Sequence, residues 1–223
     1  MKLKEVYIIG AGTYGEVMHD LCELLHYKVI GYYDDNEQKL GCVINGVRVL
    51  GKLSDLSEKI IEDKLFIVAI GNNVLRHSIM SDLKEKGALF PSIIHPTAFI
   101  SETAKLGVGC YVQANAVIWA YTEIGDYTII SPNAVIAHHT IIGQACLIST
   151  LSGIGASIHL EDRVFVGMGS TIVTGVKRVC ADTYFGAGTV LLKSVEVPGV
   201  YVGAPARRIK SVEDKNENKS KHY

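Results

Sequence analysis

The spacing of hydrophobic positions along the chain changes near residue 90. Before it, short apolar runs alternate with amphipathic stretches. Glu5-Val6-Tyr7-Ile8-Ile9 reads as a buried strand, and a helix from about Glu16 to His26 gathers Val17, Leu21, Leu24 and Leu25 on one side. Lys28 to Tyr33 gives a second strand, and Asn45-Gly46 between short apolar runs predicts a tight turn. Ser54 to Ile61 predicts a helix, Leu65 to Ile70 a third buried strand, and Leu75 to Lys86 a further helix. Strands alternating with helices imply a small α/β unit with a parallel sheet.

Beyond residue 90 an Ile, Leu or Val recurs at every sixth position: Ile94, Ile100, Leu106, Val112, Ile118, Ile124, Ile130, Ile136, Ile142, Ile148, Ile154, Leu160, Val166 and Ile172. Period six fits neither a helix nor a plain strand. It is the period of a parallel β-helix built from hexapeptides. Three hexapeptides make one triangular coil of 18 residues, with each rung pointing into the prism. Four residues after each rung stands a small or β-branched residue, such as Ala116, Thr128, Ala134, Cys146 and Ser152. After Ile172 the ladder resumes one residue late, at Val179, Phe185 and Leu191, so a bulge is expected near Lys177-Arg178. The predicted organisation is a Rossmann-like α/β half-domain over residues 1–90, a β-helix over 91–210 and a polar, mobile tail over 211–223.

Charge narrows the partners. Lys and Arg number 22 against 23 Asp and Glu, a net charge of -1, with no basic surplus for nucleic acid or an anionic membrane. No apolar run approaches the roughly 18 residues of a membrane span. The chain opens directly on a strand, so no signal peptide is expected. The five cysteines are scattered, which suggests buried thiols in a reducing, cytoplasmic compartment. No Cys/His spacing predicts a metal.

Gly10-Ala11-Gly12-Thr13-Tyr14-Gly15 matches G-x-G-x-x-G between the first strand and helix, and Asp34-Asp35 ends the second strand. Such a turn lets backbone approach a phosphate at the helix N-terminus, with the acid on a ribose. NAD needs two mononucleotide-binding halves, and residues 1–90 hold one. That weighs against NAD and favours a nucleotide or nucleotide-sugar, with NAD and a purely structural glycine turn as the alternatives. The outward positions of the prism are irregular and carry no repeated Thr-x-Thr, which suits a site on one coil better than an ice-binding surface.

These features, with Ala69-Ile70-Gly71-Asn72-Asn73, Arg76 and the ending Val202-Gly203-Ala204-Pro205-Ala206-Arg207, resemble the sialic-acid O-acetyltransferase family of hexapeptide-repeat acyltransferases. The branch most similar is the bacterial N-acetyltransferases of nucleotide-linked 4-amino-sugars. The resemblance covers about residues 4–210. It implies a left-handed prism, a homotrimer with inter-subunit active sites, and acetyl-CoA along the prism edge. It also implies that Gly12, Thr13, Tyr14, Asp34, Asp35 and Gly71 hold the nucleotide-sugar, with Asp34 or Asp35 accepting a pyrimidine N3–H. Asn133 to Thr140 matches the segment carrying the family's catalytic histidine, which makes His138 the general base. The family often has an acid in the next position; here His139 stands there as the modulating residue, and Glu123 is the alternative for orienting His138. A second family histidine near the thioester falls at Leu147. By motif position Gly167, Met168, Gly186 and Ala187 flank coenzyme A.

Coil length adds one expectation of its own: 18-residue stacking puts Ala120, His138 and Ala156 in one column, with the Ala156 N–H a candidate oxyanion donor. The function implied is acetyl-CoA-dependent N-acetylation, by direct transfer, of a UDP- or dTDP-linked 4-amino-4,6-dideoxy sugar for surface-glycan synthesis. Sugar O-acetylation of the sialic-acid type, and a non-catalytic nucleotide-sugar-binding subunit, are the alternatives.

Overall fold

The computed structural model describes residues 3–211. The polar tail expected from residue 211 lies, from residue 212 onward, outside the described residues. The chain divides into two compact units, Met1–Ile93 and Ile94–Tyr223.

The first unit is built on β1 (Lys4–Ile9), β2 (Tyr27–Tyr33), β3 (Val43–Ile44), β4 (Val47–Gly51) and β5 (Leu65–Val68), in the order β3-β4-β2-β1-β5. β1 runs parallel to both β2 and β5. Its Val6, Ile8 and Ile9 are fully buried, as a strand covered on both faces requires. β3 and β4 form a hairpin on Asn45 and Gly46, both at positive φ, the geometry a two-residue I′ turn needs. Helices α1 (Thr13–Leu24), α2 (Glu58–Ile61) and α3 (Asn73–Glu85) complete the unit. α1 starts earlier than its apolar spacing suggests, because the glycine turn feeds straight into it. Gly15 cannot be replaced there: a Cβ would run into the Gly10 carbonyl oxygen. The helix expected over residues 54–61 is two pieces, a 3-10 turn at Leu53–Asp55 and α2. Asp55 closes the first by accepting the Lys52 N–H at 2.8 Å, and the chain leaves it extended.

The second unit is a stack of two-residue strands joined by tight corners. Most strands pair in parallel with one 18 residues away, as in Val117↔Val135 and Ile136↔Ile154, and the unit ends on an antiparallel pair, Val200–Val202 with Arg207–Lys210. The rungs from Val112 to Leu191 are buried as one continuous core. Ile94, Ile100 and Leu106 are not: they lie in the first coil, and Ile94 is 36% exposed. The extra residue falls slightly before the expected Lys177-Arg178. His159 pairs with Arg178 and Leu160 with Val179, a separation of 19, with the excess taken up at Thr174–Val176.

Two kinds of hydrogen bond make the corners rigid. At several corners the small residue that follows is Thr, Ser or Cys and turns a hydroxyl or thiol onto a carbonyl 15 residues on, as from Thr122 Oγ1 to Ala137 O at 3.2 Å, Thr128 Oγ1 to Gly143 O at 2.9 Å and Thr140 Oγ1 to Gly155 O at 2.8 Å. That satisfies buried polar groups on both sides. The residue before it stands in the left-handed region at corner after corner, including Asn115, Tyr121, Asn133, His139, Ala145, Ser157 and Arg163. For a non-glycine residue this costs about 1 kcal/mol or more. It is held there because its N–H points down the stack, as from Asn133 to Ala114 O, Ala145 to Asp126 O and Arg163 to Gln144 O, at 2.7–3.0 Å.

Candidate active site

In the first unit the strand ends form a cleft of about 330 Å³. Gly10, Gly12, Asp34 and Asp35 line it, with Leu53, Ile70 and Leu75 as apolar walls. Gly12 caps α1 without a side-chain hydrogen bond, and Thr13 and Tyr14 open that helix. Thr13, Tyr14 and Gly71 are not in the cleft lining. The two acids are used differently from one another. Asp34 Oδ2 accepts the Ala11 N–H at 2.7 Å and its Oδ1 accepts the Asn36 N–H at 2.8 Å. Both its oxygens therefore already hold a backbone N–H of the surrounding loops. Asp35 spends only Oδ1, on the Leu53 N–H at 2.9 Å.

Sequence reading missed Lys39. Its ammonium donates to the Ala11 carbonyl at 2.5 Å and lies over Gly12. Nothing in the local spacing marks it, since it is delivered by the 3-10 turn Glu37–Lys39. The Asn72-Asn73 and Arg76 motif is structural. Asn72 caps α3 by accepting the Leu75 N–H, and the fully buried Arg76 donates to Ile70 O at 2.9 Å and Asn73 Oδ1 at 3.0 Å.

In the second unit His138 and His139 form one corner, both exposed. Ala120, His138 and Ala156 share a column, as coil length requires: the His139 N–H donates to Ala120 O at 3.0 Å and the Ser157 N–H to His138 O at 3.1 Å. The two imidazoles meet at right angles with Nδ1 to Nδ1 at 3.0 Å. The Tyr121 ring packs on His139 with centroids 4.9 Å apart. Glu123 does not reach His138; it pairs with Lys105 Nζ at 2.8 Å. The Ala156 N–H, expected to be open for an oxyanion, already donates to Thr174 Oγ1 at 3.1 Å. That hydroxyl would have to yield before the N–H could serve. Thr174 lies 18 residues after Ala156, so the coil length contained the signal.

The residues expected beside coenzyme A lie along other parts of the prism. Leu147 is a partly buried strand residue, and Met168 is an exposed corner residue. The Gly188 N–H donates to Met168 O at 2.8 Å, which stacks that corner under Ala187-Gly188. Gly167 is needed for coil packing, since a Cβ would strike the Phe185 carbonyl and the Ala187 N. A Cβ on Gly186 would press on Val202. Among the described residues no group of three or more His, Cys, Asp or Glu side chains is placed to hold a metal ion, and no helix is long and apolar enough to cross a membrane.

Residues 5–83 match the family described as the PglD N-terminal domain. Over 116 residues the chain is 28% identical to UDP-N-acetylbacillosamine N-acetyltransferase of Bacillus subtilis strain 168, a match covering 50% of this chain and 52% of that protein. The chain spans about half the length, or less, of the curated relatives it matches. Among solved structures it superposes on PerB from Caulobacter crescentus in complex with CoA and GDP-perosamine. The identity is 30%, the TM-score 0.85, and the match covers 94% of this chain and 100% of that one. The acetyltransferase domain of PglB from Neisseria gonorrhoeae FA1090 aligns at 26% identity and TM-score 0.84, over 92% of this chain and 100% of that one. The fold shared with these proteins is a Rossmann-like half-domain followed by a left-handed parallel β-helix.

Proposed function

Because the chain belongs to the nucleotide-linked amino-sugar N-acetyltransferases of the hexapeptide-repeat family, we propose that it transfers an acetyl group from acetyl-CoA to the amine of a nucleotide-linked 4-amino-sugar, for surface-glycan synthesis. The observation that carries the reading is the His138 corner, where an exposed imidazole stands on a backbone pinned from the coils on both sides. The relatives' substrates carry GDP in one case and UDP in another. The nucleotide thus extends beyond the UDP and dTDP expected from the pyrimidine reading. The cleft at Gly12 and Asp35 takes the nucleotide.

His138 acts as general base, removing a proton from the amine as its lone pair attacks the thioester carbonyl. The tetrahedral intermediate collapses by breaking the C–S bond, and the departing thiolate takes up a proton. Direct transfer follows from the absence of a nucleophile motif beside His138. Leu147, Gly167, Met168, Gly186 and Ala187 remain the candidates for contact with coenzyme A. A homotrimer is supported by large apolar side chains left exposed on the prism, among them Trp119, Val135, Ile141 and Leu151. The free cysteines suit action in the cytoplasm.

The test is CoA release measured over a panel of UDP-, dTDP- and GDP-linked amino-sugars, with free sialic acid included. Acetylation of at least one nucleotide-linked amine is expected. Activity on sialic acid alone would overturn the reading.

A further inference from the structure

We propose that His139 is the positioning residue for His138: it holds the base in the tautomer that carries its proton on Nδ1, which leaves the Nε2 lone pair as the basic site. The inference rests on the reading of His138 as the base. It starts from the 3.0 Å separation of the two Nδ1 atoms and the perpendicular rings. Only one proton fits between two Nδ1 atoms at that distance.

Two arrangements satisfy the contact. If His138 donates, its Nε2 is free to accept a proton. If His139 donates, His138 carries its proton on Nε2 and cannot act as a base there. The reaction distinguishes them. Once His138 has taken a proton from the amine onto Nε2, its ring bears N–H on both nitrogens. The Nδ1–H then requires an acceptor, and a neutral His139 with its lone pair on Nδ1 supplies one. That bond becomes charge-assisted as the imidazolium forms, so it strengthens along the reaction. In the other arrangement two N–H groups would face each other. His139 thus does for His138 what a carboxylate does in other histidine bases, but as a neutral acceptor.

The surroundings fix His139 for this task. Its backbone is left-handed at φ 57, and its N–H is tied to Ala120 O at 3.0 Å. The His138 carbonyl receives the Ser157 N–H at 3.1 Å, so the dipeptide is tied to the coil before it and the coil after it. The Tyr121 ring, packed at a tilt of 39° from the coil before, restricts the His139 imidazole. The neighbouring column positions are Ala120 and Ala156, which bring no competing charge, and the carboxylate of Glu123 is engaged by Lys105.

The position can be varied without breaking the corner. Equivalent left-handed positions hold Ala145, Asn133, Asn115 and Asp182 at φ 50–58. His139→Ala and His139→Asn are therefore expected to fold, with melting temperature checked for both. The first measurement is the tautomer of His138 in the full chain, read from 15N–1H correlations of ¹⁵N-histidine-labelled protein. The wild type should show His138 protonated on Nδ1, and His139→Ala should lose that preference.

The second measurement is steady-state transfer. His139→Ala should lower kcat by about 10- to 100-fold, the scale for losing a group that orients a histidine, with KM for both substrates little changed. His139→Asn, whose amide oxygen can accept the Nδ1–H, should recover most of the loss. A His138 protonated on Nε2 in the wild type overturns the proposal, and so does a His139→Ala variant with undiminished kcat. The His138→Ala variant separates the two readings. If transfer survives His138→Ala, the base assignment itself fails. If His138→Ala is dead while His139→Ala is unaffected, only the positioning role fails.

Discussion

The two units hold their candidate sites in opposite ways. In the prism, the His138 corner is shaped by backbone bonds that recur at nearly every coil, so its geometry is indifferent to which side chain stands there. Asn, Tyr, His, Ala, Ser and Arg all occupy the same left-handed position at successive corners. In the first unit the loops around the cleft are held by individual side chains in bonds that do not repeat: Asp34 on Ala11 and Asn36, Asp35 on Leu53, Lys39 on Ala11, Asn72 on Leu75. A site residue on the prism can therefore be changed for its chemistry alone. A site residue in the cleft carries shape and recognition together.

The sharpest way to break this contrast is at His138. His138→Ala should cost about 10²- to 10⁴-fold in acetyl transfer, with the melting temperature and nucleotide binding unchanged. A marked loss of stability would show that the corner depends on its side chain after all. Asp34→Ala should do the reverse and lose both properties. It removes two hydrogen bonds from backbone N–H groups to a carboxylate, and about 1–3 kcal/mol of stability should go with them, together with weaker nucleotide binding by calorimetry. Retained nucleotide affinity would mean that the glycine turn holds itself.

A smaller effect is expected at Glu161 on the prism. The Ala181 N–H, and then the Arg178 guanidinium, hold its carboxyl below the ordinary glutamate value. A lowered folded-state value contributes stability that is present above the unfolded-chain value and is lost as pH falls through the folded one. Glu161→Gln should therefore melt lower than wild type near neutral pH, and the gap should close below the ordinary glutamate range. A gap that widened in acid would contradict the assigned cause. The smallest effect belongs to the exposed Lys105–Glu123 pair, since surface ion pairs contribute little. Lys105→Ala should leave the thermal transition where it is, and a clear shift would show a further role for that face.

How much of this was legible in the sequence follows the same division. Period six carried the architecture, the 18-residue column through His138 and even the displaced register after Ile172, because a repeat writes its geometry once per coil. It also carried the Thr174 hydroxyl under the Ala156 N–H, one coil on, although that bond was not anticipated. The cleft was legible only as a glycine motif and a pair of acids. The part Asp34 plays in holding these loops was not legible, because its two bonds depend on where the loops Gly10–Gly12 and Asp34–Asn36 turn, and no periodicity encodes that. The helix expected over residues 54–61 failed for a local reason, the Asp55 bond to Lys52. The Nδ1 contact between His138 and His139 depends on rotamers, which lie below the reach of spacing.

One property of the prism has a practical meaning. Successive coils stand about 4.8 Å apart, as parallel strands do, and each corner accepts very different residues in one backbone shape. The height of a reactive group is then an address, given by coil number. Moving a His-His pair from 138–139 to 156–157 would lift the proposed base by one step along the axis without altering any corner's path. A scaffold of this kind can fit acceptors of different reach by relocating two residues, whereas the cleft in the first unit would need its loops rebuilt.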